Sequence, residues 1–304
     1  MHKERILTYT VADMEAGLKL GTFLRHRGLS RQNLVMLKKL PDTVLVDGIS
    51  RHFDYRVSAG NLITLRIVET GKPEGILPVA LPLDILYEDE DLIVLNKPAG
   101  MPVHPSKGNR DNTLANALAW YYAGQGIPFV FRCSNRLDRD TSGVILVARH
   151  YLSASMLSEM GVRREIGREY LGIIRGEADP PEGTITLPIG RLPGSILQRV
   201  VDPDNGEYAR TFYRTVYRSN GHTLLRLKLD TGRTHQIRIH LKAMGFPLIG
   251  DYLYNPDMEW ISRQALHAWK LSFIHPILGR PMSFRAPLPP DMRRVLSGKT
   301  DQPG

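Results

Sequence analysis

Gly71, Pro73, Gly75, Pro78 and Pro82 all fall within Thr70–Pro82, a stretch without hydrophobic periodicity, and they divide the chain. Glycine and proline at that density suit neither a helix nor a sheet interior, so the segment reads as a linker. Residues 1–70 then form one unit, 71–82 the linker, 83–293 a larger unit and 294–304 a tail. The total of 304 residues fits that partition. Domains run to about 100–200 residues, and one of about 200 buries a core without covalent staples. Cys133 is the one cysteine, so no intrachain disulfide can form, and a reduced, cytoplasmic protein is the default.

Within the first unit, Leu18, Leu20, Phe23 and Leu24 follow a helical spacing that stops near Gly28. Ser30 is placed to cap a second helix carrying Leu34, Leu37 and Leu40, which Pro41 ends. Strands are expected at Thr43–Val46 and Leu62–Ile67, separated by turn signals at Asp47-Gly48 and Ala59-Gly60-Asn61. The result is a small ααβ unit. The second unit is rich in strands: Leu83–Tyr87, Asp91–Leu95, Gly143–Ala148, Glu169–Ile174, Ala209–Tyr217 and His222–Leu229. Helices are expected at Asn112–Ala123, Tyr151–Val162 and Thr234–Met244, the last closed by Gly245 and Pro247. Because strands and helices do not alternate, the expected class is α+β rather than a doubly wound sheet.

The formal charge of +9 favours polyanionic partners, since each neutralised phosphate releases condensed counterions. By itself that is also compatible with a merely soluble basic protein. No apolar run approaches the roughly 18 residues that span a bilayer, and the N-terminus is too polar for a signal segment.

Two polar stretches could carry chemistry. Asn135-Arg136-Leu137-Asp138-Arg139-Asp140-Thr141-Ser142-Gly143 runs straight into the apolar Val144-Ile145-Leu146-Val147, which puts charged groups at the rim of a core. The plainer alternative is a turn in which Asp140 and Thr141 cap backbone groups. Thr231–His240 opens a helix, so its amides and Arg233 suit an anion. Arg238 lies beside the apolar stripe of that helix and needs a carboxylate partner, whether for function or as an anchoring salt bridge. A metal site is not expected: His235 and His240 stand five apart, on different sides of a helix, and no cysteine or carboxylate cluster completes a ligand set. Walker-type, dinucleotide-binding and nucleophile-elbow motifs do not occur.

Together these stretches resemble the signature motifs of the RluA-type pseudouridine synthases, over most of residues 83–290. Asn96-Lys97-Pro98-Ala99-Gly100-Met101-Pro102-Val103-His104-Pro105 looks like the first motif. Arg136-Leu137-Asp138 with Thr141-Ser142-Gly143 is similar to the motif bearing the catalytic aspartate. Arg168-Glu169-Tyr170 matches the segment that supplies an active-site tyrosine. Ala209-Arg210-Thr211, Thr231–His240, Gly250-Asp251-Tyr252-Leu253-Tyr254 and Leu266-His267-Ala268 follow in family order. Asn135 stands where many members carry histidine, a change that bears on local RNA contacts more than on chemistry. The first unit is similar to the S-four-like RNA-binding domain, on Ser30-Arg31, Lys38-Lys39 and Val46-Asp47-Gly48. Arg25, Arg27, Arg31, Lys38 and Lys39 would then form a phosphate-facing patch, the alternative being a solvated helical face.

The resemblance implies a catalytic domain built on a mixed, largely antiparallel sheet, and isomerisation of uridine in structured RNA. Asp138 is the implied catalytic carboxylate, acting at C1′ or on the C2′ proton, with Arg238 as its charge partner and Tyr170 against the uracil. The target base must be flipped out of its stack at a cost of a few kcal/mol, and Arg136 would take the vacated place. No metal or organic cofactor is expected. The implied partner is large-subunit ribosomal RNA, with transfer RNA as the alternative, and the simplest assembly is a monomer. Two other classes compete: a ribosome-assembly factor on the same scaffold, and a glycosidase pairing Asp138 with Asp140.

Overall fold

In the computed structural model, residues 4–69 and 75–299 are described; of the expected linker, residues 70–74 therefore lie outside, and 75–82 form no helix or strand. The first unit contains β1 (Arg5–Thr10), α1 (Leu20–His26), α2 (Arg31–Lys38), β2 (Val44–Val46), β3 (Ile49–Ser50) and β4 (Leu62–Ile67). Its sheet runs β1-β4-β2-β3. Leu20, Phe23 and Leu24 are fully buried on one stripe of α1. Ser30 caps α2: its hydroxyl accepts from the Asn33 amide at 3.1 Å, and the Asn33 side chain takes the Ser30 amide at 2.9 Å. This core continues into the second unit, where Tyr151, Leu152 and Met156 join Leu7, Leu29 and Leu37 in one cluster.

The second unit comprises β5 (Ile85–Glu88), β6 (Leu92–Lys97), α3 (Leu114–Ala123), β7 (Arg132–Cys133), β8 (Ser142–Ala148), α4 (Tyr151–Val162) and β9 (Gly167–Arg175). It continues with β10 (Glu182–Thr186), β11 (Ile189–Arg191), β12 (Arg199–Val201), β13 (Arg210–Ser219), β14 (His222–Leu229), α5 (Gln236–Ala243), β15 (Leu266–Ile274), β16 (Pro281–Arg285) and α6 (Pro290–Leu296). Ten strands form one sheet, in the order β10-β13-β14-β9-β15-β8-β6-β5 with β16 and β7 at its margins, while β11 and β12 pair separately. The β15–β8 pairing is parallel and the other pairings are antiparallel. The expected α+β class and its largely antiparallel sheet therefore hold.

Both faces of this sheet are covered, so its inner strands are apolar throughout rather than alternating. Ile145 and Val147 of β8 face a core shared with α3 and α5, whereas Val144 and Leu146 face one shared with α4. Each such aliphatic side chain contributes roughly 1.5–3 kcal/mol on burial.

Beyond the expected elements the structure adds β1, β3, β7, β10, β11, β12, β15, β16 and α6, which the sequence reading missed, and two of these are instructive. β1 went unrecognised because its inward residues are Arg5, Leu7 and Tyr9, among which Leu7 alone is fully buried. It nonetheless pairs with β4 from Arg5↔Ile67 to Thr10↔Leu62. The tail expected from residue 294 begins later, because α6 runs to Leu296 and buries Met292 and Val295 against Ile173 and Leu224. Pro290 at the start of that helix fits there because no intrahelical donor is lost.

The parallel seam between β8 and β15 holds two singular residues. Gly143 has φ +114°, and a Cβ on it would lie 2.2 Å from the Ala268 carbonyl oxygen. His267 is buried, accepting from the Ser142 hydroxyl at 2.9 Å and donating to the Ala286 carbonyl at 3.3 Å. Burial pushes its pKa down to about 4.

Gly143→Ala is expected to cost more than about 3 kcal/mol, read by chemical denaturation, since backbone rather than a side-chain tip is in the way. For His267, the unfolded chain takes up a proton near pH 6.5 that the folded chain refuses until about pH 4. Its contribution is therefore full above pH 6.5 and is lost as pH falls through that window, at about 1.4 kcal/mol per unit. Denaturation of wild type and His267→Gln across this range should give a flatter profile for the variant.

Candidate active site

A cavity of about 260 Å³ opens where three segments meet: residues 134–141 before β8, Arg168 and Tyr170 on β9, and residues 232–238 at the start of α5. Leu137 is buried and anchors the first segment, while the Thr141 amide bonds the Asp138 carbonyl at 3.1 Å and closes a turn. Arg136 consequently points to solvent on one side, and Asp138, 27% exposed, lies on the cavity wall.

Arg238 organises the site. Its side chain is 2% exposed, and its Nε and Nη2 donate to the two carboxylate oxygens of Asp251, both at 2.7 Å. Nη1 donates to Asp138 Oδ2 at 2.9 Å. Burial opposes the charge on Arg238, but the hydrogen bonds and field of Asp251, with Asp138 adding, hold its pKa above the ordinary arginine value. Asp251 is fixed in turn by the amides of Leu253 and Tyr254. Oδ1 of Asp138 has no hydrogen bond among the described residues and is left for a ligand.

His235 approaches the same carboxylate oxygen, with Nε2 3.8 Å from Asp138 Oδ2. Its backbone is left-handed, φ 57° and ψ 18°, so α5 starts at Gln236 rather than at Thr234 as the sequence suggests. The Tyr254 hydroxyl accepts from the Arg199 amide and lies 2.9 Å from His235 Nδ1. Burial depresses the His235 pKa, Asp138 partly opposing it. Tyr170 is 7% exposed, and burial raises its pKa against the nearby Arg168.

The structure thus brings Asp138, Tyr170, Arg238, Arg136 and Arg233 to one cavity. Arg233 is already engaged by Glu207 and by the Tyr208 carbonyl, and its amide by Gln236, so that turn is not a set of free donors. Arg25, Arg31, Lys38 and Lys39 are exposed on the first unit. Arg27 differs from them: it pairs with Glu15 at 2.7 and 2.8 Å and stacks on Phe23, so it serves that unit's own packing. Asn135 is buried, its amide bridging Leu146 N and Val144 O, so it braces β8.

Sequence reasoning missed Asp251 and His235 as members of the site, although both lie in quoted motifs. It missed Lys97, fully buried, whose ammonium donates to the carbonyls of Pro98, Met101 and Arg139 and so ties the first motif to the Asp138 loop. Burial pushes its pKa down to about 7. It also missed a cluster of Asp89, Asp91 and His275. These groups are committed to one another, to Arg5 and His150 and to backbone amides, which accounts for them as a hydrogen-bonded anchor at the start of β6.

Residues 91–243 match the RNA pseudouridylate synthase family. The chain is 38% identical over 272 residues to the RNA pseudouridine synthase YjbO of Bacillus subtilis (strain 168), covering 90% of this chain and 96% of that one. It is 37% identical over 306 residues to the ribosomal large subunit pseudouridine synthase D of Xylella fastidiosa (strain Temecula1), covering 95% and 91%. The chain belongs to the RluA-type RNA pseudouridine synthases. It is an isomerase acting on RNA. Human RNA pseudouridylate synthase domain containing 1 superimposes with a TM-score of 0.57 at 26% identity, covering 69% of the synthase and 86% of the human chain. No helix among the described residues is long and apolar enough to cross a membrane.

Asp251→Ala should cost the synthase about 3–5 kcal/mol, since it strips two of three hydrogen bonds from a buried guanidinium. Denaturation midpoints would measure this, and activity should fall further than stability explains because Asp138 loses a fixed partner.

Proposed function

We propose that the synthase isomerises uridine in large-subunit ribosomal RNA, with Asp138 as the catalytic carboxylate. The observation that carries this reading is that Asp138 is the one acidic residue lining the cavity among the described residues, with one oxygen held and the other open. A glycosidase typically needs two carboxylates flanking the sugar. Asp140 is not on the cavity wall, and its carboxylate is taken by Arg139.

Breaking N1–C1′ and forming C5–C1′ requires that the uracil be retained and water kept out. Asp138 attacks C1′ or removes the C2′ proton through Oδ1, while Arg238 holds Oδ2. Tyr170 packs on the uracil face and, as a neutral phenol, assists loss of the C5 proton to solvent once the C5–C1′ bond has formed. Arg136 takes the place of the flipped base. Residues 1–70 act as an S-four-like RNA-binding domain joined by 71–82 to the catalytic domain, 83–293, with Arg25, Arg31, Lys38 and Lys39 toward phosphate. Ribosomal RNA is favoured over transfer RNA by the relatives named for the large ribosomal subunit. A monomer working in the reducing cytoplasm accords with the single cysteine.

The test is tritium release from uracil C5 of unmodified ribosomal and transfer RNA. Wild type should release label from ribosomal RNA and Asp138→Asn should not. Release by the folded Asp138→Asn protein would remove Asp138 from its role, and release from transfer RNA alone would reassign the substrate.

A further inference from the structure

Arg136 and Arg168 line the cavity without a hydrogen-bonded or ion-paired protein partner among the described residues, and of the two Arg168 is the one withdrawn from solvent. Its Nε is buried without a hydrogen bond, and none of its N–H groups meets a carboxylate or carbonyl among the described residues. The adjoining acid, Glu169, faces the opposite side of β9 and is engaged by Arg226 and Lys270. Arg168 and Tyr170 stand two apart on the strand and therefore share a face. A cation half withdrawn from water with no counter-charge is costly unless something supplies one.

Gly232 is the second observation. A Cβ there would come within 2.5 Å of Arg168 Nη1. Its φ lies outside the left-handed region that demands glycine. What requires a glycine at 232 is thus the space the guanidinium occupies against the backbone. Arg168 comes from β9 and Gly232 from the loop before α5, and together they make a seat that holds a forked cation on the cavity wall.

RNA offers that seat two acceptors, base carbonyls and phosphodiester oxygens. The phosphodiester also compensates the charge and matches the fork with paired hydrogen bonds. We infer that Arg168, seated on Gly232, clamps a phosphodiester flanking the flipped uridine. This rests on the reading of the cavity as the uridine site.

Binding of ribosomal RNA transcript in the Asp138→Asn background, titrated over roughly 50–200 mM salt, tests the clamp separately from catalysis. Arg168→Gln should weaken binding about tenfold or more and lower the slope of log affinity against log salt by about one. Gly232→Ala displaces only the tip of a flexible side chain, so it should fold normally, as thermal melting would verify, and shift binding in the same direction. The double variant should bind no worse than Arg168→Gln, because both changes remove one contact. Unchanged affinity and slope for Arg168→Gln, or additive losses in the double variant, would overturn the clamp. Lost turnover of Arg168→Gln in the enzyme that keeps Asp138, together with an unchanged slope in the binding titration, would also overturn it, placing Arg168 on the base. In each case wild-type tritium release that Asp138→Asn abolishes would leave the uridine-site reading standing.

Discussion

One buried guanidinium sets the geometry of this site. Arg238 has its donors divided between two carboxylates, and that division is unequal: Asp251 takes a bidentate pair and Asp138 a single bond. A planar fork held at two points cannot swing, so the third point is fixed in space. Asp138 is thereby oriented from one side, with the charge of the pair Arg238–Asp251 already balanced. The carboxylate that remains has a defined direction for its free oxygen and a cation within hydrogen-bond reach.

Everything around that triad serves to keep it registered. Lys97 bonds the Arg139 carbonyl just after Asp138, and Arg263 bonds the Asp140 carbonyl next to it. Arg263 is itself held by Asp291 at the start of α6, so the C-terminal helix braces the loop from behind. Asn135 pins the other end to β8. The loop is polar in composition yet tied at both ends, which is how a segment without regular structure can hold a side chain still.

How legible was this in the sequence? Strands such as β8 follow from an unbroken apolar run, and Ser30 as a cap follows from its chemistry. Asp138, Tyr170 and Arg238 could be singled out because their motifs keep an order that spacing alone does not explain. The contact between Asp138 and Arg238 spans 100 residues and is created by the sheet, so no local pattern announces it. Asp251 sat in a recognised motif, but its role depends on a loop that folds back thirteen residues to meet Arg238. β1 escaped because an arginine and a tyrosine do inward-facing work that apolar counting assigns to aliphatic residues. Arg27 lies in the same basic run, and its pairing with Glu15 and Phe23 comes from contacts that the run itself does not announce.

The first unit does not hang from the rest of the chain; it shares Tyr151, Leu152 and Met156 of α4 with its own core, and Arg5 reaches the buried Asp91 beyond it. Pulling the two apart would wet those side chains at several kcal/mol. The exposed cations of α2 and the catalytic cleft therefore present themselves at one spacing. A ligand that touches both meets surfaces whose relative freedom was surrendered when the chain folded, so the second contact forms at an effective concentration set by structure instead of by the reach of a tether.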